Sequence, residues 1–270
     1  MIFRKFLYIS LLTINFSSYS FALSFSTIFD SVAPEHKGVF ENEGQRLFKD
    51  NLAQLRDLQK GKVLKTVFIV HDLWKSNDPV IQEKRGILEK IDLHLKLAGI
   101  RSLLDLVDGR AGGLSIHQFF NQIFQEESNL IIIESGGWSD GSHHSRYIAS
   151  NAIAAQQKKT EPPVFIKLGN VDPSGTFSAV FASHFVGSES VQFHLENSKL
   201  SLCELMSKTY ELIHFVFKQD PKMGIIQLKE ELASSLESLA KNTDRLEELL
   251  RKQKEKEKTV LEDLAKILGI

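Results

Sequence analysis

The residues that could do chemistry in this chain fall at a few places. His71-Asp72 closes the apolar run TVFIVH (66–71). Glu134 closes a second run, NLIIIES (129–135), and Trp138 and Asp140 follow it. A carboxylate such as Glu134, at the mouth of a pocket, can stabilise developing positive charge or move a proton. A strand-end carboxylate also serves simply to accept local hydrogen bonds. Asp105 and Asp108 flank the glycine-rich stretch DGRAGG (108–113), where turn formation is the commoner use of Asp. Gly109, Gly112 and Gly113 do not make a phosphate loop. There is no G-x-x-x-x-G-K-S/T, and no G-x-G-x-x-G follows the first apolar run. Turn geometry accounts for these glycines. His143 and His144 do not make a metal site: helix neighbours do not share a face, and no Cys or carboxylate cluster joins them. Cys203, the only cysteine, sits in LSLCELM with no activating base, so it reads as a small buried hydrophobe. One thiol allows no internal disulfide.

The elements that must hold these residues alternate strand and helix. TVFIVH is a strand. PVIQEKRGILEKIDLHLKLAG (79–99) is a helix, with Pro79 in its first turn and Gly99 at its end. RSLLDLVD (101–108) is a strand, SIHQFFNQIFQEES (115–128) a helix and NLIIIES a strand. SRYIASNAIAAQQKK (145–159) is a helix, PVFIKLG (163–169) a strand and VQFHLEN (191–197) an edge strand. LSLCELMSKTYELIHFVF (200–217) is the closing helix. Strands apolar throughout, each followed by a helix, give a parallel sheet covered on both faces. Five of them predict a flavodoxin-like doubly wound α/β fold over 65–219, with its site at the carboxyl ends of the strands.

Two further regions flank that domain. Leu47, Phe48, Leu52, Leu55 and Leu58 recur at helical spacing, which predicts an amphipathic helix near 43–60 in an N-terminal extension (23–64). At the other end Ile225, Leu232, Leu239, Leu246, Gln253, Val260 and Ile267 recur every seven residues, with Leu236, Leu250 and Leu264 in the alternating slot. This predicts one long polar helix over 224–270, whose sustained register favours self-association as a coiled coil, giving a homo-oligomer, over a lone helix folded back on the domain. Gln253 and Glu257 interrupt the seam.

The first 22 residues have a basic start, an apolar run (FLYISLLTI) and Ser20-Phe21-Ala22, the pattern of a cleaved secretory signal. The run is short of the ~20 residues a bilayer span needs and Asn15 interrupts it, which favours cleavage over an uncleaved membrane anchor. No later segment is long and apolar enough to span, so no transmembrane segment is expected in the mature chain. A net charge of −1 points to no nucleic-acid partner.

The order of pieces from VFIVHD (67–72) through LHLKLAGIRSLLDLVDGRAGGLSIHQFFNQIFQEESNLIIIES (93–135) resembles the TIR (Toll/interleukin-1 receptor) domain family in its bacterial form. The run GIRSLLDLVDGRAGGLSIHQF carries most of the resemblance, which covers residues 66–218. The family implies two modes of action. Some members assemble with other TIR domains through the loop here formed by Asp108, Gly109, Arg110, Ala111, Gly112 and Gly113, the BB loop. Others cleave NAD at the nicotinamide–ribose bond with a glutamate on the helix after the third strand. That carboxylate would stabilise an oxocarbenium-like ribosyl cation.

Here that glutamate is missing. Counting from Ser135 without gaps puts Tyr147 at its position, and aligning YIASNAIAA with the family helix puts Asn151 there. Losing such a charge costs ~3 kcal/mol or more of transition-state stabilisation. The expectation is therefore an exported TIR-type protein, periplasmic, secreted or delivered to a host cell. It would act by protein–protein contact and interfere with host TIR signalling, with no cofactor required. The alternative is an NAD glycohydrolase using Glu134, with His71, Asp72 and Trp138 touching NAD as substrate; Trp138 would stack on a base or pack at the rim. A second alternative is a structural, envelope-associated module.

Overall fold

The computed structural model describes residues 24–60, 65–71, 73, 77–104, 118, 121, 129–135, 143–157, 162–169, 183–185, 188–196, 199–217 and 224–268. The expected leader, most of the helix at 115–128 and all of 108–113 lie outside them.

Five strands form one all-parallel sheet: β1 (Thr66–Val70), β2 (Arg101–Leu104), β3 (Asn129–Glu134), β4 (Val164–Leu168) and β5 (Glu189–Phe193). Their order is β2-β1-β3-β4-β5, which is that of flavodoxin-like folds. Side chains alternate between the two faces. Val67, Ile69, Ile131, Ile133, Ile166, Leu168, Val191 and Phe193 join one core, and Phe68, Val70, Leu130, Ile132 and Phe165 join the other.

The second face is covered by α4 (His143–Gln156), through Ile148, Ala149, Ala152 and Ala155. The first face lies under a thicker layer. α3 (Pro79–Leu97) starts on an Asp78 cap, whose carboxylate accepts from the Val80 N–H at 2.8 Å. It ends in a Schellman turn: Ile100 N–H bonds Leu95 O, Gly99 N–H bonds Lys96 O, and Gly99 sits at φ 83°. Beside it lies α5 (Leu202–Val216), capped by Ser201.

The N-terminal extension belongs to this same core. α1 (Phe25–Asp30) and α2 (Lys37–Asp57) bury Phe25, Ile28, Phe40, Phe48, Leu52 and Leu55 with the sheet, α3 and α5. α2 starts six residues before the predicted 43 because Val39 and Phe40 also face inward.

The C-terminal region corrects the expectation of a single long helix. It is two helices, α6 (Ile225–Lys241) and α7 (Thr243–Leu268), broken at Asn242. There the backbone turns to φ −106°, ψ 77°, and the Asn242 side chain caps the next helix by accepting from the Arg245 N–H at 2.9 Å. α6 lies antiparallel along α2. Gly224 adjoins Leu58, Asn51 bonds Leu228 O, and Gly44 faces Leu236. A β-carbon on Gly44 would stand 3.3 Å from Leu236 Cδ2, so the glycine permits this close approach. The first half of the seven-residue seam (Ile225, Leu232, Leu236, Leu239, Leu246) is thus buried within its own chain.

One polar knot ties the layer together. Asn51 donates to Leu228 O at 2.8 Å and accepts from the Tyr210 hydroxyl, joining α2, α5 and α6. Gln59 donates to Ala98 O at 2.6 Å and ties α2 to the end of α3.

Candidate functional site

The carboxyl edge of the sheet gathers His71, Glu134, Ser135, Lys167 and Gly169, because the central parallel strands end there together. Glu134 and Lys167 are register partners on β3 and β4. They point to the face covered by α4, having the same parity as Leu130, Ile132 and Phe165. Lys167 Nζ stands 3.9 Å from Glu134 Oε2, with side chains 40% and 17% exposed. This is a loose, partly wet ion pair, of the kind that adds little stability. It sets an anionic group and a cationic group side by side at the end of the sheet.

His71 is 4% exposed and leaves β1 on the opposite face, with the parity of Val67 and Ile69. Its Nδ1 accepts the Leu73 N–H at 3.0 Å, which places the proton of the neutral ring on Nε2. The ring therefore ties Leu73 back to the end of β1. The first turns of α3 hold the same edge. Lys84 Nζ donates to Ser135 O at 2.7 Å, and the Arg85 guanidinium reaches Leu73 O at 3.5 Å. Sequence reasoning missed Lys84 and Lys167. Their one signal was position: two turns into a helix opened by Pro79, and next to last in a strand.

Asn151 is half-buried on α4. Its amide donates to Tyr147 O of the same helix at 2.8 Å, so the two residues singled out by the expected alignment are joined to each other. α4 carries no acidic residue along its length. Asp72, Trp138, Asp105, Asp140 and the loop 108–113 lie outside the described residues, as do the side chains of His143 and His144.

Cys203 is half-buried, and burial pushes its thiol up to about 11, away from thiolate chemistry. Among the described residues no group of three or more His, Cys, Asp or Glu could hold a metal ion. Among them too, no helix is long and apolar enough to cross a membrane.

Compared with protein-family models, with curated proteins and with solved structures, the chain matches none.

Proposed function

We propose that this protein acts by protein–protein contact, as a TIR-type module that offers the loop 108–113 to a TIR-domain partner and self-associates through its C-terminal helix. The observation that carries the reading is the make-up of α4. It has no carboxylate along its length, and Asn151 spends its amide on the Tyr147 carbonyl. A neutral amide turned back on its own helix supplies no charge to a ribosyl cation. The export and host-cell destination expected from residues 1–22 belong to the same proposal.

The test has two arms. Full-length protein at high concentration is incubated with NAD and nicotinamide release is followed. The same protein is titrated against a purified TIR domain, with Arg110→Ala and Gly112→Val as loop variants. Binding that the loop variants abolish, with no nicotinamide released, supports the reading. Turnover would overturn it in favour of NAD cleavage. The observation favouring that second reading is Glu134, a partly exposed carboxylate beside Lys167 at the sheet edge. Glu134→Gln would then abolish the release.

A further inference from the structure

We propose that the distal part of α7, from Gln253 to Leu264, pairs antiparallel with the same segment of a second copy of this chain. This deepens the self-association proposed above and is independent of the partner that the loop 108–113 takes.

The first observation is where α7 leaves its own fold. Leu246 is 1% exposed, and Leu249 and Leu250 are half-buried against the core. From Arg251 to Leu264 every residue is exposed. α7 is 26 residues long, roughly 39 Å. α6 lies antiparallel along α2, and α7, entered through the break at Asn242, still touches α2 and the short turn at Pro34–His36. The exposure that begins at Arg251 marks where the described residues stop covering it. The apolar seam nevertheless continues: Val260, Leu261 and Leu264 are 58%, 66% and 47% exposed.

The second observation is charge, which selects the occupant and its direction. A parallel pair in register would stack Glu257 on Glu257 of the second copy inside the seam, like charge on like. An antiparallel pair centred near residue 255 would face Lys254 and Lys256 with their own copies. An antiparallel pair centred between Lys258 and Thr259 avoids both. It sets Glu257 beside Val260 of the second copy and Gln253 beside its Leu264. On one flank, Lys256 then meets Asp263 of the second copy, and two-fold symmetry makes this pair twice. On the other flank the Lys254 stem covers Leu261 of the second copy. The segment is therefore complementary to itself in one direction and register.

Sedimentation equilibrium of the full chain tests this. The expected result is a reversible monomer–dimer equilibrium. Lys256→Glu or Asp263→Lys alone should weaken it by about tenfold or more, since each places like charges together twice. The double exchange Lys256→Glu/Asp263→Lys should restore it. Leu264→Asp should give a monomer with an unchanged circular dichroism spectrum, because the site is exposed in the single chain. A monomer at every concentration overturns the inference. So does a dimer indifferent to Leu264→Asp, or a double exchange that restores nothing. Binding of monomer to anionic phosphatidylserine vesicles through this segment would reassign it to a membrane surface. A dimer that binds no TIR domain upholds this inference and removes the partner reading.

Discussion

Leu232, Leu236 and Leu239 of α6 are 2%, 0% and 3% exposed, while Val260 and Leu264 of α7, on the same seven-residue seam, are 58% and 47% exposed. One stretch is spent within the chain and the other is not. The seven-residue spacing is the same in both, although Gln253 and Glu257 fill two slots of the exposed stretch. What differs is the neighbour: α2 offers α6 a matching face, with Gly44 making room for Leu236 and Asn51 ready to bond a backbone carbonyl. A heptad pattern states that a helix face needs a cover, and the chain's own geometry decides who supplies it.

Breaking the layer that supplies the cover should cost most. Phe48 is fully buried, with its ring edge-on to His94 and Tyr210 at 5.0 and 5.7 Å. Phe48→Ala should lose about 3–5 kcal/mol in urea unfolding. A loss no larger than that of a surface substitution would show that α2 is not packed on α3 and α5, and so could not serve as the cover for α6.

The next effect depends on pH. His94 is 1% exposed on α3, and burial, with Lys49 and Lys90 nearby, holds its imidazolium down to about 4. Between that value and its ordinary 6.5 the unfolded chain binds the extra proton, so stability rises with pH across this window and falls on acidification. The loss from pH 7.5 to pH 4 should be on the order of 2–3 kcal/mol, and His94→Leu should remove that part of the slope. Equal slopes in the two proteins would show that the ring titrates normally.

Asn51→Ala removes the partner of both the Leu228 carbonyl and the Tyr210 hydroxyl. It should cost about 1–3 kcal/mol, and amide exchange in α6 should speed up more than in the strands. Uniform acceleration would mean that the layer and the sheet open as one. The smallest effect belongs to the exposed half: Val260→Ser should change the stability of the dilute monomer by no more than about 0.5 kcal/mol.

The strands apolar throughout were legible in the sequence because such runs, bounded by breakers, leave few alternatives. The alternating one was not placed as well, for VQFHLEN was expected as a strand over 191–197 and β5 runs Glu189–Phe193. TVFIVH became Thr66–Val70 and NLIIIES became Asn129–Glu134. Pro79 and Gly99 bracket α3 for the backbone reasons that suggested them. The layer built from both chain ends was not legible, since an amphipathic stripe names no partner. The break at Asn242 carried a signal in Asn-Thr-Asp, a cap composition, which the uninterrupted apolar period on either side concealed. At the site, Glu134 and His71 stood out as the polar ends of apolar strands. Lys84 and Lys167 did not, because lysines and arginines number 33 and only the fold singles out two of them.

The contact between Asn51 and Leu228 spans 177 residues. Its consequence is one of timing. During synthesis the sheet, α3 and α5 can cover one side of α2, but the side around Gly44 and Asn51 waits until the 177 residues to Leu228 have been made. The sheet can assemble strand by strand in the meantime, yet the layer over its first face closes only when α6 arrives. The arrival of α6 is thus the step that completes this layer.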